Sequence, residues 1–435
     1  MVDPVTLDWS SGLRAARTRL TLAVLLVIGG SEIIDASPPS AARPPVLPRI
    51  GVREGSFAEV SSGRPFHPCG FNYIRLRGGW HGTFAPQSYD AGRAEAMLAD
   101  LAQRGFNTVR VFIDHRAPNG VVASADAEQL SPKYMANFLD FLGRARTHQV
   151  YVVPSLIHLP LNKRYGEIAG PAPEKLGSVN RCYLHQGDID AKARYAADFV
   201  TAIKRHDPDL LPAVFAYELD NETHFVATRP PFSLTEGPLT PADGKTYDLS
   251  SPADLQEMAD NHVVRWANAC VEAIRGVDPQ AMVSTNVFTF RAVGRSGPGR
   301  LRADKTRDGR FPARPLALAR SKLSYLDVHF YSAGSDEMFR RDLESIEFEA
   351  FQAACRQAGK PMIVGEFGSF KSAQKTVAQA AAAVADLLEK VRRRGFVGFL
   401  YWTYDTDEQP YIWNARSQQG EILEALTKAR PWPGN

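Results

Sequence analysis

Two glutamates stand where apolar runs stop in charge. Val214-Phe215-Ala216-Tyr217 leads into Glu218-Leu219-Asp220-Asn221-Glu222, and Met362-Ile363-Val364 leads into Gly365-Glu366-Phe367. A buried strand more often stops at a glycine or a turn, because a carboxylate at its end must be solvated, partnered or used. Two carboxyls about 5–5.5 Å apart carry out retaining glycoside hydrolysis. One attacks the anomeric carbon. The other protonates the leaving oxygen and later deprotonates water. Polar residues at other run ends suit that chemistry. Arg110 would hold the attacking carboxylate ionised, and Tyr331 would donate a hydrogen bond to it. Asn221 would bind the sugar's 2-hydroxyl, and Trp402 would give a sugar ring a flat apolar platform. Asn72, His158, Asn286 and His329 complete the candidate lining.

These residues lie far apart in sequence and meet only if the elements beneath them close on one another. From about residue 50 onward, apolar runs alternate with amphipathic helical stretches. Strands are expected at 68–74, 107–113, 150–158, 212–222, 281–288, 326–331, 361–368 and 396–404, after an opening hairpin at 56–66. Helices are expected at 91–105, 131–148, 188–206, 253–277, 336–359, 372–395 and 420–430. The strands are continuous apolar runs, as when both faces of a parallel sheet are covered. The pattern gives an α/β fold: a single (β/α)8 TIM barrel with long βα loop insertions at 159–187, 223–250 and 290–320. No glycine-rich phosphate loop follows a strand, which argues against a nucleotide-binding open sheet. Barrel sites lie at the carboxyl ends of the strands, where all the candidate residues fall. By strand alternation Tyr217, Leu219 and Asn221 share one face and Glu218, Asp220 and Glu222 the other. Glu218 and Asp220 are read as structural carboxylates.

The motifs "DNE" after an apolar strand, "HFY", "VGEFG" and "YWTY" occur in this order, and "GFNTVRVFI" precedes them. Together they resemble the clan A (β/α)8 glycoside hydrolases, most closely glycoside hydrolase family 5, the cellulase and β-mannanase family. The resemblance covers about residues 50–430. It implies that Glu222 is the acid/base, that Glu366 is the nucleophile and that Arg110 is the active-site arginine. It also implies a retaining hydrolase of β-linked glucan, mannan or a related oligosaccharide, needing no cofactor and no metal. The family usually has Asn-Glu-Pro, whereas Thr223 follows Glu222 here. "YELDNE" tilts toward mannan and "VGEFG" toward glucan. With those roles, Glu366 is expected to stay ionised beside Arg110 and Tyr331, and Glu222 to titrate higher. A transglycosylase with the same site and a carbohydrate-binding pseudoenzyme are the alternatives.

The remaining features set the context. A net charge of +3, with 44% hydrophobic and 23% charged residues, gives no case for nucleic acid. Arg14, Arg17 and Arg19 precede the apolar run 20–30, which has the length of a signal-peptide core. Residues 1–45 are therefore expected to be a signal peptide or signal anchor plus a Pro-rich linker, and 46–435 the catalytic domain. Such a protein would be secreted or held at the cell envelope, tethered to membrane only through that segment, and a monomer whose partner is a polysaccharide or oligosaccharide. Cys69, Cys182, Cys270 and Cys355 form no CxxC pair, so a zinc or redox motif is not expected, though one or two disulfides could form after export. Trp80 and Tyr404 are weaker candidates for outer subsites, and Trp413, a lone aromatic in a loop, is read as packing. Asp405, Asp407 and Glu408 lack EF-hand spacing and read as a solvated loop rather than a calcium site.

Overall fold

The apolar runs form parallel strands around one axis in a computed structural model that describes residues 45–77, 80–177, 179–295, 308–331 and 335–430. The expected signal segment, apart from its last residue, lies outside the described residues. The barrel strands are β1 (Cys69–Asn72), β2 (Thr108–Ile113), β3 (Tyr151–Leu156), β4 (Tyr217–Glu218), β5 (Val283–Ser284 and Asn286–Phe288), β6 (Leu326–His329), β7 (Met362–Phe367) and β8 (Phe399–Tyr401). Each pairs in parallel with the next, and β8 returns to β1 through Phe399↔Cys69. The ring closes at β5. Its first half pairs with β4 and its second half with β6, the ladder breaking at Thr285.

Helices α1 (Ala91–Gln103), α2 (Pro132–Thr147), α3 (Gln186–His206), α4 (Pro252–Val277), α5 (Pro315–Leu318), α6 (Ile346–Gln357), α7 (Val377–Arg393) and α8 (Glu421–Ala429) follow the strands in order. Their starts are written in the sequence. Ser131 and Ser251 cap α2 and α4 ahead of a first-position proline, and Thr376 closes a capping box with Gln379 on α7. Two expectations change. The run 212–222 yields only a short β4, because Pro208–Ala213 winds into a 3₁₀ turn that contains Pro212. The helix expected over 336–359 breaks into Asp336–Leu343 and α6, because the Ser345 hydroxyl accepts from Phe348 N and starts a new helix.

The opening hairpin becomes a three-stranded antiparallel sheet, Ile50–Arg53, Ser56–Glu59 and Pro65–Phe66. It closes the amino-terminal end of the barrel. Phe57 meets Phe215 and Tyr325 edge-on at 5.1 and 5.3 Å, and Phe66 meets Tyr151 at 5.0 Å. All four cysteines carry free thiols, and Cys69, Cys270 and Cys355 are buried. Among the described residues no helix is long and apolar enough to cross a membrane.

One glycine fixes the register beside the mouth. A Cβ on Gly365 would stand 1.9 Å from Asp327 Oδ2. Its absence lets Gly365 N donate to Asp327 Oδ1 at 2.6 Å, next to the register shifts on both sides of β7. Gly365→Ala should therefore overpack the barrel, cost about 1–3 kcal/mol in urea unfolding, and lower activity by displacing Glu366. Wild-type stability and turnover in this variant would mean that β7 has slack.

Candidate active site

β2 delivers Arg110 into the barrel with 1% of its surface exposed, so every donor needs a partner. Nε donates to Glu218 Oε2 at 2.6 Å, Nη1 to Glu366 Oε1 at 2.6 Å and Asn72 Oδ1 at 2.8 Å, and Nη2 to Asn221 Oδ1 at 2.8 Å. Burial alone would weaken the charge, but Glu218 and Glu366 more than reverse this and keep the guanidinium protonated. Only a planar fork meets carboxylates in this way along separate directions.

Asn72 and Asn286 stand behind this fork, both wholly buried. Asn72 accepts from Arg110 and donates to Gly365 O at 2.9 Å, tying β2 to β7. Asn286 donates to Glu218 Oε2 and Asp220 O at 3.1 Å each and accepts from Glu222 N. That last bond holds a residue with φ of 47°, a left-handed turn that a non-glycine adopts rarely. The turn breaks the alternation of the strand. Asn221 reaches Arg110, while Glu222 swings over the mouth. Both asparagines were expected to line the substrate; their polar groups instead face protein partners.

Glu366, on β7, accepts from Tyr331 Oη at 2.9 Å as well as from Arg110. One oxygen of Glu222, one of Glu366 and a ring nitrogen of His329 lie within 4.8 Å of one another. His329 Nδ1 is 3.6 Å from Glu222 Oε1 and 3.5 Å from Glu366 Oε2, and Nε2 is 3.7 Å from Asp327 Oδ2. Burial would lower the imidazole's pKa, but Glu366, Asp327 and Glu222 push it up to about 10, which favours the imidazolium.

Below them, Glu218 and Asp327 share a buried contact. Burial pushes Glu218 up to about 8 despite Arg110, and Asp327 adds to the rise through charge and a side-chain hydrogen bond. Burial opposes the ionised form of Asp327, yet His329 and the bond from Glu218 keep its carboxyl below the ordinary range. Glu218 Oε1 and Asp327 Oδ2 are buried and make no hydrogen bond of ordinary geometry among the described residues.

The two glutamates at the mouth titrate in the opposite order to that expected. Glu366 is raised: burial outweighs the pull of His329, Arg110 and Tyr331, and the charge of Glu222 adds to the rise. Glu222 is lowered: burial opposes this, but His329 and then Arg310 favour its carboxylate. Arg310 Nη1 lies 2.9 Å from Glu222 Oε2.

The other candidates divide. His158 leads from β3 with a φ of 52° and a side chain 54% exposed. Asp220 holds its ring at 3.3 Å, and buried Lys192 donates to the carbonyls of Leu156 and His158 to prop the turn. Its edge meets His115 at 5.0 Å. Trp402 shares an apolar patch with Ile74, Phe112, Ile157 and Ile412, and its indole donates to Gln409 at 2.7 Å. Tyr404 turns outward to Asp100 at 2.8 Å, and Trp413 donates to Gln374 O at 2.8 Å, so both serve packing. The side chain of Trp80 lies outside the described residues. Asp405 is tied up by Arg75 and Arg93, and Asp407 by Asn414. Arg310, Asp327 and Lys192 were missed. For Asp327 a signal existed, an acid inside the apolar run "LDVHFY". Arg310 sits in an insertion without periodicity.

The model of one family, Cellulase (glycosyl hydrolase family 5), matches residues 62–408. A search of curated protein sequences gives no match. Among solved structures, the endo-1,4-beta-mannanase from Rhizomucor miehei superimposes with a TM-score of 0.57 at 15% identity, over 88% of this chain and 98% of that one. The exo-beta-1,4-mannosidase from Opitutaceae bacterium strain TAV5 gives 0.55 at 18% identity, over 87% and 62%. The endo-beta-1,4-mannanase from Thermotoga petrophila gives 0.55 at 12%, over 84% and 77%. At these identities the likeness establishes the shared barrel.

Proposed function

Because the chain belongs to glycosyl hydrolase family 5 and is a glycoside hydrolase, we propose that it cleaves a β-linked glucan, mannan or related oligosaccharide with retention of configuration. One observation carries this reading: one oxygen of Glu222 and one of Glu366 approach within 4.8 Å, side by side at one mouth. That spacing suits direct attack by one carboxylate. An inverting pair stands about 6.5–9.5 Å apart, to leave room for water.

Glu366 is the nucleophile. Arg110 and Tyr331 fix its two oxygens, so that an oxygen is presented to the anomeric carbon without searching rotamers. Glu222 is the acid/base, held over the mouth by Asn286. As Glu366 becomes an ester its charge disappears, which lowers the pKa of Glu222, so that after giving its proton to the leaving oxygen it stands ionised to take one from water in the second step. Asn221 and Trp402 are assigned to the sugar's 2-hydroxyl and ring face, with His158 at the exposed rim. Export to the envelope or medium through residues 1–45 belongs to the same reading.

The test is the configuration of the first-formed product. Purified residues 46–435 are screened on soluble glucans, mannans and aryl glycosides, and the anomer released from the best substrate is followed by proton NMR. The retained anomer is expected to appear first. Release of the inverted anomer would overturn the assignment of Glu366 as nucleophile. The β-1,4-mannan activities named for the structures above make mannans the first substrates to try.

A further inference from the structure

Arg310 has no part in the mechanism above, yet it is built to meet Glu222. It opens the strand Arg310–Pro312, which pairs antiparallel with His224–Val226, the segment that leaves Glu222. Two anchors aim the guanidinium. Asp308 takes Nη2 at 2.8 Å and Nε at 3.1 Å, and the ring of Phe288 lies 4.9 Å from the guanidinium carbon. That leaves Nη1 to donate to Glu222 Oε2 at 2.9 Å. The two side chains are 40% and 21% exposed, so the contact borders the open cleft.

Resting on the reading of Glu222 as acid/base, we propose that Arg310 is a positioning residue that sets when this carboxyl can act: it holds Glu222 as an ion pair in the empty cleft, and a leaving group docked over Glu222 must displace it before the carboxyl can carry a proton. A carboxylate that accepts a bond from a guanidinium is harder to protonate, because the bond is stronger to the charged form. The other groups facing Glu222 do not remove this effect. His329 approaches from β6 but divides its charge among Glu222, Glu366 and Asp327. Glu366 on β7 favours protonation of Glu222. His224 on Glu222's own segment is held near-neutral by burial, and Tyr331 at the end of β6 stays a neutral phenol. Arg310 is the partner that reaches Glu222 from outside the barrel strands, through a loop.

A pH signature tied to leaving-group quality is expected. The probes are phenyl and 2,4-dinitrophenyl β-glycosides of mannobiose and cellobiose. The proteins are wild type, Arg310→Gln, Arg310→Lys and Glu222→Gln. On the phenyl glycoside, which needs a proton, Arg310→Gln should move the alkaline limb of kcat/KM upward by about one pH unit or more. Arg310→Lys should restore most of the wild-type limb, since it returns a point charge. On the dinitrophenyl glycoside, which leaves unaided, the substitution should leave kcat/KM within about twofold of wild type. Limb position does not depend on how much protein is folded, so partial misfolding cannot imitate the shift. If Glu222→Gln loses the phenyl substrate but keeps the dinitrophenyl one, while Arg310→Gln leaves the limb unmoved, the role of Arg310 is overturned and that of Glu222 stands. If Glu222→Gln keeps both substrates, the acid/base reading fails and takes this inference with it.

Discussion

Glu366→Ala should lower kcat/KM by on the order of 10⁴-fold or more, and added azide should restore turnover with an inverted product. The loss is large because no neighbouring oxygen can take over the attack. Asp327 lies deeper and shares its contacts with Gly365 and Glu218, and Glu222 is occupied with Arg310. The alanine leaves a small space lined by Arg110, Tyr331 and His329, all of which favour an anion, so azide fits there and attacks from the same face. Glu222→Ala differs in kind. It should keep much of its rate on substrates with good leaving groups, and azide should then yield a product of retained configuration, because in the proposed mechanism Glu366 still forms the ester. A Glu366→Ala enzyme that hydrolyses aryl glycosides at the wild-type rate would remove this carboxylate from the chemistry.

Arg110→Met should be the most destabilising single change in the site, by about 3–5 kcal/mol. It strips the buried cation from Glu218 and Glu366, each of which then faces the interior without its main partner. The pH dependence follows from linkage. Both carboxyls would titrate higher in the folded than in the unfolded chain, so the folded state binds more protons, and stability is lost as pH rises through that interval. Wild type already has this slope through Glu218, which burial raises to about 8. The defect in urea unfolding should therefore be smaller at pH 5 than at pH 8. Arg110→Lys should fold better, because it keeps a charge, but kcat/KM should fall about 100-fold, because an ammonium cannot hold Glu218, Glu366, Asn72 and Asn221 along four fixed directions. Equal stability of Arg110→Met and wild type across that pH range would show that the carboxyls are already neutral.

The strand ends were the most legible part of the chain. Glu222, His329, Tyr331 and Glu366 stand at or near the ends of apolar runs whose length and spacing permit one closed sheet, Arg110 stands inside such a run, and they meet at one mouth. Asn72 and Asn286 were found by the same signal, but their partners were not, because which way a buried amide turns depends on its neighbours across the barrel. Arg310 was illegible for a stronger reason. Its strand has no periodicity of its own and exists only as a pairing partner for His224–Val226. Since Arg310 helps to decide which glutamate titrates lower, the order of the two could not be read from the strands alone. The short β4 and the broken helix at Ser345 show the same limit on a smaller scale. Pro212 and a capping hydroxyl overrode runs whose composition favoured continuation.

The aromatic floor laid by Phe57 and Phe66 against Phe215, Tyr325 and Tyr151 makes the charged interior a blind well. Glu222 and Glu366 open toward the mouth, the side that a bound sugar would cover. The hydrogen that the leaving oxygen needs must therefore come aboard with the ligand or before it. On the proposed retaining course solvent pH is sampled twice, before the sugar docks and again when the leaving group departs and the water of the second step enters.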